Sequence, residues 1–296
     1  MESVASHTPL PDTTSLGAVR LRVGDLARSL AFYADLLGLR AVRGPAVGNG
    51  GAMPEAGSAV LSASVENPLI TLEARPGVRL RPPGTPGLYH FAILYPDRPS
   101  LARAILRLRS ASWPFQGFSD HAVSEAAYLA DPDGNGVELY ADRPRAVWRR
   151  DGRIVMTTLP LDLRDLLAQA DGAEWTGADA RTRIGHIHYH VADLARAERF
   201  WAGLIGLDVV TRDYPGALFL SAGGYHHHVA VNTWSPMRSP GAADVAGLLA
   251  MTLRVPDAGA RDGIRVRLET AGIAVQEAAS GLRFADTEGN AVILTG

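Results

Sequence analysis

His90, Glu138 and His186 are two imidazoles and one carboxylate, a set that can hold a divalent transition metal from one side. Such a set leaves about three coordination positions open, which a closed four-ligand site does not. The chain has no cysteine. Thiolate ligands, thiolate nucleophiles and disulfides are therefore excluded together, and histidine and carboxylate are left to carry any metal chemistry. The run His226-His227-His228 adds imidazoles able to take and return protons beside such an ion. Taken singly, each candidate has an ordinary alternative: a strand histidine is most often hydrogen-bonded in a core or on a surface, and a strand glutamate is most often solvated. A repeat in the sequence separates these readings.

The repeat is anchored on an aspartate that follows a strand and opens a helix: Asp25, Asp97, Asp193 and Asp257. Val19, Leu21 and Val23 alternate ahead of Asp25 as in a half-buried strand, and Leu26, Leu30, Tyr33 and Leu37 then share a helical face before Gly38. Ile187, Tyr189 and Val191, followed by Leu194, Ala197, Trp201 and Leu204, repeat this before Gly206. In the other two copies the spacing predicts weaker helices starting near Ser100 and Arg261. Short apolar segments broken by Gly, Pro and Asp, such as Ala217 to Ser221 and His228 to Asn232, read as about three antiparallel strands after each helix. The expected fold is α+β, with four βαβββ modules in tandem over residues 15–80, 85–144, 182–235 and 246–296.

Seven residues before the four aspartates stand Ala18, His90, His186 and Ala250. The turn Asp131-Pro132-Asp133-Gly134-Asn135 leads into Gly136-Val137-Glu138, whereas its counterpart Asp286-Thr287-Glu288-Gly289-Asn290 leads into Ala291-Val292-Ile293. Module four thus lacks both kinds of ligand. If the modules pair in chain order, neither pair holds a full set. If module two pairs with three and one with four, a single pocket holds His90, Glu138 and His186, the facial triad, and the other pocket holds none. The ligand count favours the second arrangement.

The composition, 47% hydrophobic and 20% charged over 296 residues, is that of a globular protein with substantial cores. A formal net charge of −2 gives no reason to expect nucleic acid or an anionic membrane surface as a partner. No apolar run approaches the roughly 20 residues that span a bilayer, and Met1 to Ser15 does not read as a signal peptide, so a cytoplasmic address is expected. The expected domains are 1–144 and 182–296, each of two modules, joined by a connector over 145–181. In the connector Leu163, Leu166 and Leu167, after Pro160, can share one face of a short helix. Gly44–Gly57, rich in glycine and proline, reads as a flexible loop. A symmetric dimer is the commonest expectation for such an oligomer.

Five strings carry a family resemblance: Gly87 through Leu94, Asp120 through Leu129, Asp131 through Pro144, Gly185-His186-Ile187-His188, and Gly224-Tyr225-His226-His227-His228. They resemble the vicinal-oxygen-chelate superfamily of glyoxalase, bleomycin-resistance and extradiol dioxygenase proteins, and within it the catechol-2,3-dioxygenase type. The resemblance spans nearly the whole chain. It implies a glyoxalase-like fold around non-haem Fe(II), with His90, Glu138 and His186 as ligands, and cleavage of a catechol-type aromatic diol by O2 with both oxygen atoms incorporated. Many extradiol enzymes use their last two modules. Here Ala250 and Ile293 cannot ligate, so the pocket is expected between modules two and three.

Ring cleavage also requires a group that accepts and returns protons. By the same resemblance His227, with His228 close behind it, is that group, and Tyr128 hydrogen-bonds a substrate oxygen. His121 is a weaker candidate for contact with substrate or with a ligating residue. Mn(II) accepts the same three ligands as Fe(II). Two other classes fit the scaffold: a non-oxidative metal-dependent isomerase, lyase or transferase, and a metal-free aromatic-binding protein.

Overall fold

Every anchoring aspartate caps its helix. The Asp25 carboxylate accepts from the Arg28 N–H, Asp97 from Ser100, Asp193 from Ala195 and Arg196, and Asp257 from Ala260. These are donors that the first turn of a helix leaves unpaired. The computed structural model describes residues 8–42, 57–64, 67–82, 85–235 and 244–296, and most of the loop expected over Gly44–Gly57 lies outside them.

The helices correct one expectation. Modules two and four carry the longer ones, Arg98–Ser110 and Ala258–Thr270 of 13 residues each, and both begin directly after the capping aspartate. Pro99 sits in the first turn of the former, where its missing N–H costs no bond. In modules one and three an α-helical turn, Leu26–Leu30 or Leu194–Glu198, widens into a π-helical segment, Ala31–Leu36 or Arg199–Ile205. The wider turns carry the bulky pairs Phe32-Tyr33 and Phe200-Trp201 into the core.

Four times the described chain runs strand, helix and three strands, and the first strands decide how these units join. In a sheet of eight strands Gly247–Arg254 of module four pairs antiparallel with Ser15–Val23 of module one. In a sheet of nine, Gly87–Tyr95 of module two pairs antiparallel with Arg183–His190 of module three. Module two is thus bonded to three and module one to four.

Alternation along the nine-stranded sheet sends successive side chains to opposite faces. Phe91, Ile93, Tyr95, Val137, Leu139, Ile187 and Tyr189 enter a core shared with both sheets and with helix residues such as Tyr33, Ile105, Trp201 and Leu268. His90, Glu138, His186 and His188 occupy the alternate positions and line a cavity on the other face. Each fully buried large apolar side chain stabilises by about 1.5–3 kcal/mol, so a slip of one residue, which would exchange the two sets, is strongly disfavoured. The core therefore sets the direction in which the polar residues point.

Residues 145–181 do more than connect. Leu159–Pro160 adds an edge strand beside Phe115–Asp120. Asp162 caps the helix Leu163–Ala168, and Arg98–Asp165 and Arg103–Asp171 ion pairs tie this segment to the helix of module two.

Candidate metal centre

Sheet register brings the candidate ligands together. Glu138 lies opposite Ala92 on the parallel neighbouring strand, and Ala92 lies opposite His186 on the antiparallel one. With Tyr128 opposite Glu138, one row across the sheet reads Tyr128, Glu138, Ala92, His186. The small Ala92 leaves space into which its larger neighbours converge. Two glycines are required by close approaches: a Cβ at Gly136 would lie 2.1 Å from the Tyr89 carbonyl oxygen, and one at Gly185 would lie 1.7 Å from Tyr140 Oη. The Tyr140 ring so admitted packs with its centroid 4.8 Å from that of His186.

Nε2 of His90 and Nε2 of His186 lie 3.0 and 3.1 Å from Glu138 Oε2. One ligand atom from each residue lies within 4.8 Å of the others, and all three residues are buried. His90 Nε2, although close to the carboxylate, is not aligned for a hydrogen bond and has no other partner among the described residues. Buried polar atoms are rarely left so. Two imidazole nitrogens and a carboxylate oxygen aimed at one point fit a divalent cation better than they fit one another.

The electrostatics agree. Burial lowers His186 to about 4 against the raising effect of Glu138, so at neutral pH no proton competes for its lone pair. Burial opposes ionisation of Glu138, but the imidazoles of His186 and His90 outweigh it and hold the carboxyl well below its usual range. The group is an anion in a dry place.

Around it lies a cavity of about 350 Å³, in the range of small-molecule sites. Phe219, Tyr214 and Met156 line it, while Tyr89 and Trp234, with ring centroids 6.0 Å apart, remain partly exposed. His227 also lines the cavity, with its ring centroid 4.1 Å from that of His186. Burial first, and then the neighbouring imidazoles, keep it well below the ordinary histidine range. Tyr128 and His121 act as a pair: His121 Nδ1 donates to the Thr157 carbonyl at 2.6 Å, so its Nε2 accepts from the Tyr128 hydroxyl at 2.6 Å. Burial, followed by the charge of Glu138, pushes the Tyr128 phenol well above its usual value, and it stays protonated.

A family model described as the Glyoxalase/Bleomycin resistance protein/Dioxygenase superfamily matches residues 15–139. A catechol-2,3-dioxygenase of Bacillus subtilis (strain 168) is 39% identical over 292 residues, covering 97% of this chain and 98% of its own. The chain belongs to this superfamily. A biphenyl-2,3-diol 1,2-dioxygenase of Rhodococcus globerulus is 31% identical over 133 residues, 44% of this chain and 64% of that one. For the fold alone, the crystal structure of glyoxalase I from Zea mays superposes with a TM-score of 0.57 at 17% identity, covering 95% of this chain and 92% of that one.

In this superfamily member His90, Glu138, His186, His227, Tyr128 and His121 all border one cavity. His228 does not. It borders a smaller cavity with Arg145 and Arg183, and its Nδ1 accepts from the Ala222 N–H at 3.2 Å. The three histidines precede the strand Val229–Asn232 rather than standing in it, so a bend, not strand alternation, turns His227 and His228 apart. Sequence reasoning passed over His188, whose Nε2 accepts from Asn232 Nδ2 at 2.9 Å inside the same cavity wall. The signal was present, since His188 stands two residues after His186 and shares its face. It also passed over Met156, Thr157 and Thr158 of the presumed connector, and Tyr214, whose hydroxyl pairs with Thr158 Oγ1 at 2.6 Å. No local pattern marks those, because distant segments meet there only in the folded chain.

Proposed function

We propose that the chain is an extradiol dioxygenase that opens a catechol-type ring with O2 on Fe(II) held by His90, Glu138 and His186. The convergence of these three side chains on one point, with a cavity open beside it, carries the reading. The near full-length likeness to a catechol-2,3-dioxygenase supports it. Fe(II), when bound, supplies coordination for the substrate oxygens and for O2 on one centre.

The surrounding residues supply the rest. His227, kept neutral by burial, accepts a proton from the diol and returns it as the ring opens. Tyr128 gives its hydrogen to His121, so its oxygen is left to accept from a substrate hydroxyl. Phe219, Met156, Tyr214 and Trp234 offer apolar faces to an aromatic ring and keep water from its far side.

Oxygen uptake with a panel of catechols and hydroquinones, after anaerobic reconstitution with Fe(II) and in parallel with Mn(II), tests the proposal. Uptake in proportion to ring-opened product is expected with at least one catechol. Product formed without oxygen would replace the reading with a non-oxidative isomerase, lyase or transferase. Tight aromatic binding with neither metal nor turnover would replace it with a sequestering protein.

A further inference from the structure

His226 is buried completely, stands between the cavity and Asp142, and has no task in the chemistry above. Its Nε2 lies 2.9 Å from Asp142 Oδ1, and its Nδ1 lies 2.8 Å from Nδ1 of His227. We propose that Asp142 and His226 are positioning residues that fix the tautomer of His227, so that its Nε2 presents a lone pair to the cavity. This rests on the reading of His227 as the proton-handling group of a dioxygenase.

The argument is one of donors and acceptors. An ionised carboxylate only accepts, so the hydrogen between Asp142 and His226 belongs to His226 Nε2. A neutral imidazole with its hydrogen on Nε2 has a lone pair on Nδ1. Two lone pairs cannot face each other at 2.8 Å, so the hydrogen between the rings belongs to His227 Nδ1. His227 Nε2 is then the acceptor. If Asp142 did not accept, His226 could carry its hydrogen on Nδ1, and His227 would offer an N–H where the reaction needs a base.

Asp142 is itself held in place. Its Oδ1 also accepts from the Tyr225 hydroxyl at 3.2 Å, and Tyr225 Oη lies 2.7 Å from Tyr140 Oη. Tyr140 is the ring packed on His186. The series therefore closes on the candidate metal ligand from behind, and Trp148 seals it with a ring centroid 5.1 Å from that of His226.

The decisive measurement is the His227 tautomer in metal-free protein, read from imidazole ¹⁵N shifts. The hydrogen is expected on Nδ1 in the wild type and on Nε2 in Asp142→Ala; the Nε2–H form in the wild type, or no change in the variant, overturns the proposal. With the Fe(II)-loaded enzyme, Asp142→Ala and His226→Phe are expected to lower kcat by about 10–100-fold, as loss of an orienting partner does, with KM and metal content nearly unchanged. His226→Gln can donate to Asp142 and accept from His227, and should recover most of that loss. In a His227→Ala background His226→Phe should cost nothing more; an equal further loss would mean that it acts through stability and not through His227. Absence of oxygen uptake by the wild type would sink the dioxygenase reading, while the tautomer would still decide this proposal.

Discussion

The two sheets share a plan and differ most tellingly at three buried positions. Ser15–Val23 meets Gly247–Arg254 across the eight-stranded sheet as Gly87–Tyr95 meets Arg183–His190 across the nine-stranded one. The turns that lead to the last strands of modules two and four are built alike: Asp131 Oδ1 accepts from Asp133 N and Asn135 N, and Asp286 Oδ1 accepts from Glu288 N and Asn290 N. Yet one sheet presents His90, Glu138 and His186, and the other presents Ala18, Ile293 and Ala250, all buried. The fold is thus satisfied by apolar residues at these places. The polar set in the second sheet is there for something the fold does not need, since burying it without a cation costs stability.

The largest expected effect comes from making the second sheet resemble the first. His90→Ala, His186→Ala and Glu138→Ala should each lose retained metal, read by elemental analysis after anaerobic loading, and bring ring cleavage below detection. Normal iron content in all three would end the comparison. Next comes His227→Ala, expected to keep its metal while kcat falls by about 10²–10⁴-fold, as loss of an acid/base group does. Tyr128→Phe should lower kcat roughly tenfold, the value of one hydrogen bond accepted from a substrate hydroxyl, with metal again retained.

Two smaller effects sharpen the contrast. The triple variant His90→Ala, Glu138→Ile, His186→Ala should be folded, with a melting temperature no lower than that of the metal-free wild type; apolar replacement of a buried charged set is often neutral or stabilising by about 1–4 kcal/mol. A collapse of the fold would mean that the polar residues are structural after all. His228→Ala should leave kcat within about twofold, because His228 borders a different cavity from His227, though removing its bond to Ala222 should cost about 1–3 kcal/mol of stability in a denaturation curve. Rates changed as much as by His227→Ala would reverse the assignment within the triple histidine.

Much of this was legible before any coordinates. The capping aspartates, the alternation of Ile187 and Tyr189 with His186 and His188, and the loss of ligands at Ala250 and Ile293 are local facts, and a two-residue or 3.6-residue period needs no partner to be read. The helices of modules two and four were underrated because their strength lies in caps and core contacts, at Leu101, Ile105 and Leu268, more than in a strong amphipathic pattern. His227 faces the main cavity and His228 a smaller one because a bend precedes Val229, and no sequence period encodes that bend.

What the sequence alone determined was the inventory: which repeats keep imidazole and carboxylate, and on which face of each strand they must stand, because apolar neighbours claim the other. What only the tertiary structure decided was who meets whom. The bonding of first strands brings His90 to His186, Asp142 reaches His226 across 84 positions of sequence, and Thr157 returns from beyond the repeat to orient His121. Such meetings depend on sheet register and on the packing of chain segments far apart in sequence, which no local period encodes.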